Sequence, residues 1–171
     1  MTVASQDPST SSPGRRIKLR VNGDEYESEV DPRMTLVDYL REVLGLTATH
    51  VGCEHGVCGV CNVLVDGRAV RGCLMLAVQA DGREVRTVEG LAEGGKLHPI
   101  QEAFIEEHGL QCGFCTGGFM MALCELLESN PNASQEELKE VVGGQLCRCT
   151  GYNSIMRAAQ NAAAKMGATG S

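Results

Sequence analysis

The sequence has no Trp, and aromatic residues make up only 4% of it. That removes most of the flat side chains on which nucleic-acid binders stack bases. Positive charge is also short. Lys and Arg number 15 against 22 Asp and Glu, a formal net charge of −7, and an acidic chain repels a phosphate backbone, so no nucleic-acid partner is expected. No apolar run approaches the roughly 20 residues that cross a bilayer, so no membrane span is expected. There is no Gly-rich dinucleotide fingerprint, no P-loop and no nucleophile elbow. The chain thus shows no pattern for binding flavin or nucleotide itself, nor for acting on a substrate unaided. Residues 1–14 are rich in Ser, Thr and Pro without an apolar segment, which is neither a secretory signal nor a structural element. Residues 1–15 are expected to be a disordered lead-in. Arg15-Arg16 precedes a charged, mixed strand, not the apolar run of an export signal. The expected location is cytoplasmic, where cysteines ligate metals in preference to forming disulfides.

Cysteine is what the chain has in excess. Of nine cysteines, eight fall into two groups: Cys53, Cys58, Cys61 and Cys73, then Cys112, Cys115, Cys147 and Cys149. Each group offers four thiolates, a complete ligand set for one metal centre, and two such sites point to electron transfer more than to substrate chemistry. In 171 residues with 43% hydrophobic content, two small cores would each be marginal. Metal ligation would staple them.

Elements follow from periodicity and turn chemistry. Residues 17–21 and 25–30 alternate around Asn22-Gly23, a hairpin signal. Residues 35–44 have helical spacing, with Thr35 as cap and Gly45 as stop. A Gly- and Cys-rich irregular stretch follows, then a second hairpin over 62–65 and 68–70 around Asp66-Gly67, and a last strand over 85–88. Beyond Pro99 helices take over: 100–107, 114–128, 134–142 opened by the Ser134/Glu137 capping box, and 154–166. The expected class is α+β. A ferredoxin-like β-grasp domain over 16–89 leads through a linker at 90–98 to a four-helix bundle over 99–166, with a tail at 167–171.

Cys53, Cys58 and Cys61 follow C-x4-C-x2-C, the plant-type [2Fe–2S] spacing, and Cys73 completes the set. Such a cluster is anionic and needs backbone N–H donors and a chain that wraps closely. Gly52, Gly56 and Gly59 suit both needs. Zinc prefers paired C-x2-C knuckles. Four cysteines fill the site, which leaves His50 and His55 as solvated loop residues. Cys112 and Cys115 form C-x2-C at a helix start, where free N–H groups and the helix dipole favour an anionic centre. Cys147 and Cys149 form C-x-C between two helices. On spacing alone this second group suits zinc as well as iron–sulfur. Cys124 lies in an almost wholly apolar helix with Phe114, Phe119, Met120, Met121 and Leu123, and is expected to be core.

Three motifs carry a resemblance: Gly52 to Cys61, Gln111-Cys112-Gly113-Phe114-Cys115-Thr116, and Leu146-Cys147-Arg148-Cys149-Thr150-Gly151-Tyr152. In their order and spacing the chain resembles the small iron–sulfur subunit of the xanthine oxidase family of molybdenum hydroxylases, from about Arg16 to about Lys165. The resemblance implies two [2Fe–2S] clusters, the second group included. It implies a large molybdenum-binding subunit that hydroxylates substrate with water, a medium FAD-binding subunit, and a dimer of heterotrimers. The second group would face the molybdenum–pterin cofactor and pass electrons to the first, which faces flavin. Gln111 matches the glutamine that hydrogen-bonds the pterin, and Cys149 the ligand nearest to it. Gly117, Gln145 and Gly72 depart from the family's usual Pro, Asn and Ser, and none removes a ligand. Substrates implied are aromatic N-heterocycles or related rings, with aldehydes or carbon monoxide as alternatives. The reading from another class is a free-standing ferredoxin or redox-sensing module, which would leave the helical half and Gln111 without a role.

Overall fold

The computed structural model describes residues 14–169, so most of the expected lead-in lies outside the described residues. The first half is a five-stranded sheet, β1 (Arg15–Val21), β2 (Asp24–Val30), β3 (Asn62–Val65), β4 (Arg68–Arg71) and β5 (Glu84–Arg86), in the order β2-β1-β5-β3-β4. β1 and β5 run parallel and the other neighbours antiparallel. Both hairpins close where expected: Asn22-Gly23 and Asp66-Gly67 all take positive φ, which matches the twist of the strands. Alternation along β1 buries Ile17, Leu19 and Val21, worth about 2 kcal/mol each.

A helix crosses one face. α1 (Leu36–Asp38) is capped by Thr35, whose hydroxyl accepts from the Asp38 amide, and continues as a π-helical turn over Tyr39–Val43. Periodicity does not distinguish this widening from a regular helix. The core here joins Ile17, Leu19, Leu36, Tyr39, Leu40 and Val63.

The second half consists of α2 (Pro99–Glu106), α3 (Thr116–Ser129), α4 (Gln135–Gly143) and α5 (Tyr152–Thr169). Ser134 and Glu137 form the expected capping box. α3 lies at the centre, with Phe119, Met121, Leu123 and Leu127 buried against Ile100, Phe104, Leu138 and Ile155. Ala158, Ala159 and Ala162 are fully buried on α5, and small side chains let helices approach closely. Every residue of β3 is buried: Val63 and Val65 belong to the first core and Leu64 to the second. This strand is a wall common to both halves, with α3 packed against it.

Three expectations need correction. The last strand stops at Arg86 because Asn22 Oδ1 accepts from the Thr87 amide at 2.8 Å, and residues Val88–Leu91 form a 3-10 turn. Phe114 precedes α3 and is exposed, stacked on His50 with ring centroids 4.7 Å apart. α5 runs through Gly167 to Thr169, into the stretch expected as tail.

Candidate metal centres

The first cysteine group draws on three places along the chain. Cys53 and Cys58 sit in the loop after α1, Cys61 immediately precedes β3, and Cys73 follows β4. Cys58, Cys61 and Cys73 are buried and Cys53 is half-exposed. Backbone amides converge on the Cys53 sulfur, with Cys58 N–H donating at 3.4 Å. Donation by Cys58, then His55, lowers the Cys53 thiol to about 6. Burial acts the other way on Cys61 and lifts it to about 11, against donation from the Cys73 amide, with the Cys73 and Cys58 sulfurs adding to the rise. Cys58 is also raised, chiefly by burial. The loop wraps through Gly56 and Gly59, at φ +82° and +75°, which glycine adopts without strain.

The second group gathers at the start of α3 and in the α4–α5 connection. Cys115 is the N-cap of α3, with Cys112 three residues before it. Cys147 is buried, Cys115 and Cys149 are half-exposed and Cys112 is exposed. Cys112 is lowered first by the Phe114 amide and then by the Cys149 thiol. Burial pushes Cys115 up to about 12, reinforced by the Cys147 thiol. The Tyr152 hydroxyl pins the C-x-C loop, accepting from Cys147 N–H at 2.9 Å and donating to the Gln145 carbonyl at 3.2 Å. All nine cysteines are free of disulfides. Each set of four neighbouring sulfurs, with amides aimed at some and burial opposing ionisation of others, suits a cationic iron core that neutralises the thiolates. Both groups fit a [2Fe–2S] cluster on this chemistry.

The loops that carry the two groups touch. Leu146 N–H donates to the Cys58 carbonyl at 2.9 Å, and both groups border one crevice of about 420 Å³ with Phe114. Gln111 is exposed and lines a small cleft with Cys112, Cys149 and Gly151. His50 is half-buried, and its Nδ1 donates to the Phe114 carbonyl at 2.9 Å, so it joins the two halves and is not a solvated loop residue. His55 Nδ1 bonds the Cys53 carbonyl.

Cys124 is buried in the second core, but its thiol also donates to Glu128 at 3.1 Å. Burial and that bond push it to about 12. His98, Cys124 and Glu128 bring ligand-type atoms within 4.8 Å of one another. A cation has no room there, because Arg86 Nη2 stands 3.1 Å from Cys124 Sγ and 2.6 Å from each Glu128 oxygen. Cys124→Ala is expected to leave iron content and iron–sulfur spectra unchanged and to cost about 1 kcal/mol in unfolding free energy. Iron analysis and thermal unfolding check both.

Sequence reasoning missed Asn62 and Arg71 and singled out Gln145 only as a departure. Asn62 signals itself weakly, as a polar residue opening a wholly buried strand.

A family described as "2Fe-2S iron-sulfur cluster binding domain" matches residues 19–92, and one described as "[2Fe-2S] binding domain" matches residues 87–160. The nicotine 6-hydroxylase small subunit of Paenarthrobacter nicotinovorans is 52% identical over 160 residues, 92% of this chain and 96% of that protein. Caffeine dehydrogenase subunit gamma of Pseudomonas sp. (strain CBB1) is 54% identical over 145 residues, 83% and 87%. A chain of quinoline 2-oxidoreductase from Pseudomonas putida 86 superposes with a TM-score of 0.86 at 48% identity, covering 92% of this chain and 98% of that one. Fold, cysteine chemistry and these likenesses agree: the chain belongs to the small iron–sulfur subunits of the xanthine oxidase family of molybdenum hydroxylases, and carries two [2Fe–2S]-binding domains.

Proposed function

We propose that Cys53, Cys58, Cys61 and Cys73 hold one [2Fe–2S] cluster and that Cys112, Cys115, Cys147 and Cys149 hold the other. The chain then serves as the electron relay between the molybdenum–pterin cofactor of a large subunit and FAD in a medium subunit, in a cytoplasmic dimer of heterotrimers. Residues 16–89 and 99–166 are the two cluster-bearing domains, with 90–98 as linker. The observation that carries this reading is the meeting of the two cysteine-bearing loops at the Leu146–Cys58 backbone hydrogen bond. Each cluster, when bound, supplies a one-electron carrier.

The chain's own residues do the rest. The amides of Cys58 and His55 stabilise negative charge on Cys53 sulfur. Gln111 offers a side-chain amide, donor and acceptor together, beside Cys149, as needed to hold a pterin edge. Val57 and Leu74 are exposed near the first group, and Leu110, Phe114 and Leu146 near the second. Apolar surface of this kind supports burial against partner subunits on both sides. The names of the relatives, which act on nicotine, caffeine and quinoline, support an aromatic N-heterocycle as substrate of the complex.

The test is purification of the complex from cells expressing all its subunits. Dithionite reduction is expected to give two distinct [2Fe–2S] EPR signals, with labile sulfide matching iron, and anaerobic nicotine or quinoline to reduce the same centres. Zinc without labile sulfide, or a chain that purifies alone, refutes the relay. Faster reduction by an aldehyde overturns the substrate class.

A further inference from the structure

Three polar side chains that ligate nothing meet in the seam between the two cysteine groups. Asn62 follows Cys61, Arg71 ends β4 just before Cys73, and Gln145 leads into Cys147. Asn62 is 2% exposed and Gln145 5%, so both amides must find partners inside the protein. They do. Asn62 Nδ2 donates to Gln145 Oε1 at 3.1 Å and to the Gly118 carbonyl at 3.1 Å. Arg71 Nη1 donates to Asn62 Oδ1. Arg71 Nε donates to the Gly56 carbonyl at 3.2 Å and Nη2 to the Gly144 carbonyl at 3.0 Å.

The acceptors are distributed in a telling way. Gly56 lies in the loop of Cys53 and Cys58, Gly118 in the first turn of α3 after Cys115, and Gly144 just ahead of the Cys147 loop. Every bond therefore ends on, or leads to, a segment carrying cysteines, and the network crosses from one group to the other. Gly59 has no room for a side chain, because Gln145 Oε1 occupies the place of its Cβ. Filling a seam needs only apolar groups of the right shape. A hydrogen-bonded guanidinium–amide network adds direction, since its bonds work only at set angles and strengthen in a low-dielectric interior.

We propose that Asn62, Arg71 and Gln145 form a positioning clamp that fixes the separation and mutual orientation of the two [2Fe–2S] centres, so that electron transfer between them depends on residues that ligate neither. The clamp rests on the ligand assignment proposed above. Gln145→Leu removes the acceptor for Asn62 while keeping similar volume. Arg71→Lys keeps the charge and loses the planar fork that reaches three acceptors at once.

The experiment uses the whole complex, with iron, labile sulfide, the EPR spectrum of the fully reduced centres and rapid-mixing reduction read on each variant. Gln145→Leu and Arg71→Lys are expected to retain full iron and both EPR signals. Their magnetic splitting between centres should change, and transfer between centres should slow by about tenfold, as for loss of a partner behind a metal ligand. Ser134→Ala, which removes only the α4 cap, is expected to lower stability and leave splitting and transfer rate alone. If Gln145→Leu fails to fold, Arg71→Lys decides. An iron-replete variant with unmoved splitting and rate overturns the clamp alone. Wild-type complex without labile sulfide overturns the ligand assignment, and the clamp with it.

Discussion

Cys115→Ala is expected to halve the iron and labile sulfide of the chain, abolish one [2Fe–2S] EPR signal and leave the other in place. Cys115 joins two parts of the second group: it stands at the N-cap position of α3, and its sulfur neighbours that of Cys147, whose backbone N–H donates to the Tyr152 hydroxyl. Removing it leaves three sulfurs, of which Cys112 is exposed and only Cys147 is buried, an incomplete ligand set. Because ligation and folding are coupled, the C-x-C loop should loosen as well. With one carrier gone the relay is broken, and substrate-dependent reduction of the flavin acceptor should fall by about 100-fold or more, beyond what loss of an outer partner costs. Cys61→Ala should do the reciprocal thing. Cys61 is 2% exposed and stands at the root of β3, so its loss should remove the other EPR signal and spare the one that Cys115→Ala abolishes. If both signals vanish in either variant, or neither does, the assignment of four ligands to each centre fails. The contrast with Cys124→Ala separates ligation from burial, since Cys124 is as buried as any cysteine in the chain but has Arg86 and Glu128 for partners.

Much of this is legible in the sequence, for local reasons. Asn22-Gly23 and Asp66-Gly67 set their hairpins within two residues, and the Ser134/Glu137 box marks a helix start within four. Cysteine spacing is likewise local, and the motif resemblance to a family orders the two groups. What stayed hidden depends on residues distant in sequence. The Asn22–Thr87 bonds that end β5 join positions on opposite ends of the first half. The Asn62–Arg71–Gln145 network appears only once β3, β4 and the α4–α5 connection have been brought together. The stacking of His50 on Phe114 is of the same kind, each unremarkable in its own loop. The π-helical turn at Tyr39–Val43, which buries Tyr39 and Leu40, was illegible for another reason: the apolar spacing there fits either helix type.

The same dependence on distant contacts makes Gly118→Ala a small change with a large expected effect. Gly118 stands in the first turn of α3, where the helix meets the cysteine loop. A Cβ there would overlap the Gly59 carbonyl oxygen and lie 2.9 Å from Val60 Cα and 3.0 Å from the Val60 carbonyl oxygen. All three are backbone atoms, so no side chain can swing aside. The loop cannot retreat freely either, since Gly59 is held at φ +75° between Cys58 and Cys61, and the Gly118 carbonyl is an acceptor for Asn62. Overpacking of this kind costs about 3 kcal/mol, which in a protein of this size lowers the apparent unfolding temperature by about 10 °C. Helix propensity pulls the other way, since alanine is favoured over glycine in a helix by about 1 kcal/mol, and the larger steric term wins. Gly143→Ala isolates that lesser term: it is also helical, at the end of α4, and nothing lies within 4 Å of its added Cβ. It should be neutral or slightly stabilising. Thermal unfolding of the two variants side by side tests the reasoning, and equal behaviour would show that the α3–loop contact is not close-packed. Because the strain falls on the segment between Cys58 and Cys61, Gly118→Ala should also weaken retention of the first cluster before the second, read as earlier loss of its EPR signal on warming.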